Sequence, residues 1–340
     1  MIALRSASRR DLVTTPIIQG GQRKMRSILL AAAVAVGAAA AALPAKAETF
    51  VNILTGGTSG VYYPLGVALS KIYADNIPDV RTSVQSTKAS VENLNLLQAG
   101  RGEVGFSLGD SVAYAWEGNT DVGFPGKLDK LRGLAAIYPN FIQVVATKDS
   151  GIKTLADLKG KRVSVGAPRS GTELNARAVF AAAGLTYDDL GKVEYLPFGE
   201  SVDLMKNRQL DATLQSAGLG VASIRDLAST TDITVVSIPA ETVEKIGNPV
   251  YVSATIPANT YDGQTEDVKT AAIVNFLVTS TAVSDDLAYN MAKALFEHLD
   301  DMVAAHAAAK AISLDKAVTG MPLPVHPGAA KYYKEKGIMK

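Results

Sequence analysis

The chain has 340 residues, of which 47% are hydrophobic, 20% charged and 6% aromatic, so it is long enough for about two domains with an aliphatic core. It has no cysteine, which excludes disulfide bonds, thiolate zinc sites and cysteine nucleophiles. Beyond residue 47 there are 27 basic and 32 acidic residues, a net charge of −5, and no basic run with interleaved aromatic residues. This composition argues against a nucleic-acid-binding protein.

The N-terminal segment has the three parts of a secretory signal peptide. Basic residues 23, 24 and 26 precede an uncharged run at 28–45, and Ala45-Lys46-Ala47 supplies a small-x-small cleavage site. The run is mostly alanine with a glycine and a proline, so its hydrophobicity is weak for a membrane anchor. We predict a signal peptide over residues 1–47, cleaved after Ala47, with Met25 as an alternative start. The mature protein is then periplasmic, and it is predicted to be soluble because no later stretch approaches about 18 apolar residues.

Predicted strands and helices alternate through the mature region. The predicted strands are Thr49–Leu54, Val80–Gln85, Val104–Ser107, Gly133–Tyr138, Gln143–Thr147, Arg162–Gly166, Asp211–Gln215, Thr234–Ile238 and Val250–Ile256. Helical spacing of apolar residues predicts a helix that includes Val61, Leu65, Leu69 and Ile72, and further helices over Ser90–Gln98 and Thr172–Ala183, the last closed by Gly184. Strands that alternate with helices imply crossover connections and parallel sheets.

No low-complexity linker divides the mature region, although its length suits two domains. Two lobes without a tether must be joined by strands that cross between them, and Phe141–Thr147 and Tyr251–Ile256 are the best placed. We therefore predict an α/β protein of two lobes, 48–140 with 252–340 and 141–251, around a central ligand cleft. We expect such a molecule to move as a hinge, about the crossing strands near Gln143 and Val252.

Residues 54–66 comprise the end of the first predicted strand, a glycine-rich turn and the start of a helix, with Pro64 in the first helical turn. Backbone N–H groups and hydroxyls at a helix N-terminus favour anion binding. The turn lacks the Gly-Lys-Ser/Thr ending of a phosphate-binding loop and the glycine spacing of a dinucleotide fingerprint. An ordinary strand-to-helix turn is the alternative interpretation. The predicted ligand contacts here are Thr58, Ser59, Gly60, Tyr62 and Tyr63.

A second turn of similar chemistry, Gly166–Glu173, lies in the other predicted lobe. Ser170 or Thr172 is expected to cap the following helix and leave N–H groups facing outward. The predicted ligand contacts here are Arg169, Ser170, Gly171 and Thr172. Arg169 is a candidate to pair a second carboxylate in a bidentate way, through two guanidinium nitrogens. A solvated surface arginine is the alternative. One helix N-terminus from each lobe suits a ligand with a carboxylate at one or both ends.

Further candidates lie at predicted strand ends, where open α/β folds bind ligands. They are Thr87, Ser90, Ser107, Asp110, Tyr138, Gln215 and Gly218. Each alone is more often a turn or cap residue than a ligand contact. The three histidines, His298, His306 and His326, have no metal-binding spacing, and there is no Gly-x-Ser-x-Gly elbow. We therefore predict no enzymatic activity, no catalytic residue, no metal and no cofactor.

Segments spread in order over the mature chain match one known family. They are GGTSGVYY at 56–63, SVENL at 90–94, AIYP at 136–139, LADLKGKRV at 155–163, SGT at 170–172 and HPGA at 326–329, followed by Tyr332, Tyr333 and Gly337. They resemble the TAXI family, the solute-binding subunits of TRAP (tripartite ATP-independent periplasmic) transporters. The first segment is the most specific, whereas the DLKGK piece is shared widely among two-lobed binding proteins.

The resemblance implies a type II periplasmic-binding-protein fold and a TRAP membrane permease with a small and a large subunit, sometimes fused. It implies uptake driven by an ion gradient and a ligand such as glutamate, glutamine or a 2-oxoglutarate-like acid. The sequence departs from the family pattern at 107–110, Asn140, 168–169 and 218–220. These departures bear on which ligand the protein binds. Two alternatives stay open: an enzyme on the same fold, such as a cofactor-biosynthesis protein, and the binding subunit of a periplasmic sensor.

Overall fold

Ten strands form one sheet in a computed structural model that describes residues 48–340. The strands are β1 (Thr49–Leu54), β2 (Val80–Gln85), β3 (Val104–Leu108), β4 (Leu131–Thr147), β5 (Arg162–Ser164), β6 (Lys192–Glu194), β7 (Ala212–Ala217), β8 (Ile233–Val236), β9 (Val252–Ile256) and β10 (Val268–Ser280). Their order is β2-β1-β3-β10-β4-β7-β5-β6, with β8 paired to β4 and β9 paired to β10. The predicted signal peptide and its cleavage site lie outside the described residues.

Helices connect most of these strands. They are α1 (Tyr62–Asn76), α2 (Ser90–Gln98), α3 (Gly109–Glu117), α4 (Gly171–Ala182), α5 (Phe198–Lys206), α6 (Ala222–Ala228), α7 (Ala240–Lys245), α8 (Asp285–Glu297), α9 (Leu299–Ala305) and α10 (Pro327–Glu335). None of these helices, all within residues 48–340, has the length and apolar character needed to span a bilayer.

The sheet is mixed, so the prediction of parallel sheets holds only for its outer parts. Strand β1 runs parallel to β2 and β3, and β5 runs parallel to β6 and β7. At the centre, β10 is antiparallel to β3, β4 and β9, and β4 is antiparallel to β7 and β8. The two predicted strands at 133–138 and 143–147 are one continuous strand, β4, and β10 was not predicted.

Strands β4 and β10, of 17 and 13 residues, tie the two ends of the sheet together. The first part of β4 pairs with β10, and its last part pairs with β7 and β8. Strand β10 pairs in turn with β9, β4 and β3. The predicted strand near Val252 is present as β9, which pairs with β10. Both long strands therefore have partners toward each end of the sheet.

Helix α1 is held on the sheet by the apolar stripe that its sequence predicts. Leu65, Leu69, Ile72 and Tyr73 are at most 2% exposed and belong to the largest apolar cluster of the described residues. Burial of each large aliphatic side chain contributes about 1.5–3 kcal/mol. This packing fixes the position of the α1 N-terminus and of the glycine-rich turn before it.

A buried polar network joins α1 to β4, β7 and β10. The Tyr62 hydroxyl donates to Oδ1 of Asn275, and Nδ2 of Asn275 donates to the Tyr138 carbonyl and to Oδ1 of Asn140, each at 2.8 Å. Nδ2 of Asn140 then donates to the Ser216 carbonyl at 2.8 Å. Asn275 is fully buried, so its amide is paired to three groups on α1 and β4 without competition from water.

We expect Asn275→Ala to lower the free energy of unfolding by at least about 3 kcal/mol. The change leaves three buried groups without this partner, and each unpaired buried group costs about 1–3 kcal/mol. Urea denaturation measures the loss. Asn290→Ala is the control, because Asn290 makes one exposed bond to the Asp286 carbonyl; it should change stability by less than about 0.5 kcal/mol. Equal effects of the two substitutions would show that the network does not stabilise the fold.

Candidate functional site

A cavity of about 460 Å³ lies between residues 56–140 and residues 167–217. This volume is within the range of about 300–1,000 Å³ that is typical of sites for small molecules. The lining consists of residues 56–62, 86–90, 108, 138, 140, 167, 170–172, 197–200, 203, 216 and 217. The cavity thus takes its walls from both predicted lobes.

Ten of the sixteen predicted contact residues line this cavity, and their contact with a ligand remains a prediction. They are Thr58, Ser59, Gly60, Tyr62, Thr87, Ser90, Tyr138, Ser170, Gly171 and Thr172. The other six, which are not among its lining residues, are Tyr63, Ser107, Asp110, Arg169, Gln215 and Gly218.

The glycine-rich turn directs the N-terminus of α1 at the cavity. The N–H of Gly60 donates to the Gly57 carbonyl at 3.0 Å, which closes the turn. Val61, the N-cap residue, makes no side-chain capping bond, so the helix start has no side-chain acceptor of its own. A Cβ on Gly66 would lie 2.4 Å from Cγ2 of Thr55, so only glycine allows α1 to lie this close to the turn.

The second turn places the start of α4 at the same cavity. Oγ of Ser170 accepts a hydrogen bond from the Glu173 N–H at 3.1 Å, which confirms the predicted cap. A Cβ on Gly171 would lie 2.6 Å from Cδ1 of Leu108 and 2.7 Å from Oγ of Ser90. Glycine at 171 therefore allows the α4 N-terminus to approach the strand end at Leu108.

Arg169 is not placed to pair a second carboxylate inside the cavity. Its backbone has a φ of 62°, the residue is exposed, and it is not among the cavity-lining residues. Its carbonyl instead accepts the Glu92 N–H at 3.2 Å. The alternative, a solvated arginine, describes the structure better, because the left-handed turn presents the side chain to solvent.

Asp110 is fully buried behind the cavity in a structural network. Its carboxylate accepts bonds from the Tyr251 hydroxyl at 2.7 Å, Nδ2 of Asn175 at 2.7 Å and the Ser111 N–H at 2.6 Å. Asn175 also accepts from the Ser216 hydroxyl at 2.6 Å. Burial raises the pKa of Asp110, and these hydrogen bonds oppose the rise. The network connects α3, α4 and β7, so it supports the wall of the cavity.

The remaining predicted contacts outside the lining are packed within the fold. Oε1 of Gln215 accepts from the Ser223 hydroxyl at 2.6 Å, and a Cβ on Gly218 would lie 2.8 Å from Cβ of Ala308. Ser107 is buried, with its hydroxyl 3.3 Å from the Leu108 carbonyl. Tyr63 is half-buried on α1. A position at a strand end therefore does not by itself distinguish a residue that lines the cavity from one that is packed within the fold.

Tyr138 is among the cavity-lining residues, and its side chain is fully buried. Its hydroxyl has no hydrogen-bond partner among the described residues. Burial raises the pKa of Tyr138 well above its usual value, so the hydroxyl stays protonated and able to donate.

The sequence interpretation missed two charged lining residues, Glu200 and Asp203. Glu200 and Asp203 lie on α5, a helix whose sequence has no glycine-rich or hydroxyl-rich turn like those before α1 and α4. Asn140 and Ser216 also line the cavity. Within residues 48–340, no group of three or more histidine, aspartate or glutamate side chains is arranged to hold a metal ion.

The chain belongs to the NMT1-like family, whose model matches residues 53–337. Among solved structures it is similar to PhnD1 from Prochlorococcus marinus (MIT 9301) in complex with methylphosphonate, with a TM-score of 0.55, 11% identity and coverage of 86% of this chain and 100% of that one. It is similar to a periplasmic transporter, with a TM-score of 0.51, 12% identity and coverage of 87% and 95%. A Bordetella bronchiseptica RB50 protein gives a TM-score of 0.50, 19% identity and coverage of 86% and 82%.

These likenesses confirm the predicted fold class. The mixed α/β fold of residues 48–340 matches that of periplasmic binding proteins.

We expect Ser170→Ala and Thr172→Ala to weaken ligand binding by roughly tenfold or more, because each removes a hydrogen bond to a charged group worth about 1.5–3 kcal/mol. Ser170→Ala should also lower the free energy of unfolding by about 1 kcal/mol, since it removes the cap of α4. Thr172→Ala keeps that cap. Thermal-shift titration measures both effects, and normal binding by both variants would show that the second turn does not contact the ligand.

Proposed function

We propose that this chain is the extracytoplasmic solute receptor of a TRAP transporter, which binds a small carboxylate and delivers it to a membrane permease. The observation that carries the proposal is the cavity, because a helix N-terminus from each of the two proposed lobes reaches it. Membership of the NMT1-like family and the periplasmic-binding-protein fold support a receptor rather than an enzyme.

The chemistry of the cavity favours a carboxylate of the size of glutamate, glutamine or a 2-oxoglutarate-like acid. The starts of α1 and α4 carry partial positive charge and N–H groups that need acceptors. Ser170 uses its oxygen to cap α4, so its proton can be donated into the cavity. Donors that converge on one space bind an anionic group best.

The proposed partner is a TRAP permease of a small and a large subunit, split or fused, energised by an ion gradient. The sequence resemblance to the TAXI family supports this partner, and the predicted signal peptide supports a periplasmic location. We further propose that the mature chain is divided into the lobes 48–140 with 252–340 and 141–251. The cavity lining from both of these parts supports the division.

We propose a hinge between these lobes, and the contacts at the edges of the cavity support it. The Glu92 N–H donates to the Arg169 carbonyl at 3.2 Å, and the Ser223 N–H donates to the Ser59 carbonyl at 3.3 Å. These are backbone contacts between the proposed lobes, whereas β4 and β10 are continuous strands with many ladder bonds. We propose that ligand closes the lobes about the crossing strands, near Gln143 on β4 and Val252 on β9, and that the permease recognises the closed form.

Calorimetry with dicarboxylates, amino acids, sugars and amines tests the ligand class. We expect a small carboxylate to bind and the sugars and amines to give no heat of binding, because the cavity wall is rich in donors and helix N-termini. Tight binding of only a sugar or an amine would contradict the proposal.

Small-angle scattering with and without saturating ligand tests the hinge. We expect a smaller radius of gyration with ligand, because a ligand with extra contacts in the closed form shifts the population toward it. A shift from roughly 1:99 to 99:1 needs about 5.5 kcal/mol of differential binding, which a few charge-assisted hydrogen bonds can supply. A sugar that gives no heat of binding is the control. An open protein whose radius does not change with ligand would contradict the hinge.

A further inference from the structure

The short 3₁₀ turn Ala307–Ala311 makes a contact between the two proposed lobes that is separate from the crossing strands. His306 and Ala308 lie in the C-terminal part of one proposed lobe, whereas Gly218 and Gly220 lie in the other. A Cβ on Gly218 would lie 2.8 Å from Cβ of Ala308, so the two segments are closely packed. The His306 ring is hydrogen-bonded to the Gly220 backbone. We call these four residues together the His306 contact.

His306 can form this contact only as a neutral ring. Its Nδ1 accepts the Ala308 N–H at 3.1 Å and caps the 3₁₀ turn. Both ring nitrogens of a charged imidazole carry a proton and are donors. Protonation therefore breaks the bond from Ala308, and the residue that packs against Gly218 loses its backbone anchor.

A cation of the other lobe also opposes protonation of this ring. Burial lowers the pKa of His306, and repulsion by Arg225 on α6 lowers it further, whereas the hydrogen bond to Gly220 opposes the fall. A protonated His306 places two positive charges across the boundary between the proposed lobes. The elements around the turn carry other ionisable groups that do not contribute to this shift, namely Asp300 and Asp301 on α9, Lys310 in the turn, Arg132 and Tyr138 on β4, and Tyr261, whose hydroxyl accepts the Gly220 N–H at 3.2 Å.

We propose that the His306 contact is an acid-sensitive switch: the neutral ring holds the two lobes together, and its protonation separates them. The inference rests on the proposed function, because it takes over the lobes and the hinge proposed there. In the open form, water and distance from Arg225 return the pKa of His306 toward its ordinary value of 6.5. The open form therefore binds the proton more readily, so the contact is intact above about pH 6.5 and weakens as the pH falls below that value.

Small-angle scattering of the ligand-free mature protein tests the switch. We expect a larger radius of gyration at about pH 5.5 than at about pH 7.5, because one unit below an ordinary pKa of about 6.5 protonation favours the open form by up to about tenfold. His306→Asn is the matched variant, since asparagine also accepts the N–H two residues further on but does not titrate. Its radius should be the same at both pH values.

A disulfide between the lobes supplies the radius of the closed form. A Cβ on Gly199 would lie 3.8 Å from Cβ of Ser59, which suits a disulfide, whose mean Cβ–Cβ distance is about 3.8 Å. The chain has no cysteine of its own. The oxidised double variant Ser59→Cys, Gly199→Cys should therefore keep one radius at both pH values. His298→Asn, which removes a histidine that lies near Asp301, should respond to pH as the unaltered protein does.

Titration of the imidazole signals by NMR gives a second measurement. The signal of His306 is the one absent from His306→Asn. Arg225→Gln should raise the pKa of His306 toward its ordinary value and reduce the increase in radius at low pH, because the repulsion across the boundary is gone. Melting temperatures of all variants check that the fold is retained.

An unaltered protein whose radius is the same at both pH values would overturn the inference. An equal increase in the unaltered protein and in His306→Asn would also overturn it, since another group would then be responsible. No ligand takes part in this test, so either result leaves the proposed function standing. The proposed function fails instead if no carboxylate gives a heat of binding in the calorimetry, whatever the radius does.

Discussion

The side-chain amide of Asn275 holds together the elements that surround the cavity. Each of its polar atoms is paired, with the Tyr62 hydroxyl at the start of α1 and with the Tyr138 carbonyl and Asn140 on β4. Asn140 carries the connection to the Ser216 carbonyl on β7. Such a fully satisfied buried network specifies one arrangement, because any displacement leaves a buried group without a partner. The position of both cavity walls depends on it.

Close approach of backbone is the second requirement for the site. Gly66 lies where a Cβ would contact Thr55, and Gly171 lies where a Cβ would contact Leu108 and Ser90. Both helix N-termini thereby reach a cavity of about 460 Å³. The N–H groups of these helix starts supply positive potential at the cavity without a cationic side chain.

The sequence interpretation was most successful where local signals agree. Strands β1 and β2 and helix α2 have the predicted bounds, because alternation or helical spacing is clear and turn residues flank each element. Strand β10 was missed, since its buried run has no alternation that distinguishes a strand from a buried helix. Its antiparallel pairing made the centre of the sheet mixed. Ser170 or Thr172 was predicted to cap α4, and Ser170 does so, because capping depends only on residues nearby in the chain.

Local chemistry in the sequence by itself determined the α/β class, the two turns that lead into α1 and α4, and the donors that these turns carry. Only the tertiary structure decided which strand-end residues line the cavity. Asp110 and Gln215 have suitable chemistry but are paired within the fold, whereas Glu200 and Asp203 line the cavity from a helix without such a turn. The reason is physical: a cap or a turn is set by neighbours in the chain, but the direction of a side chain depends on the packing of distant segments.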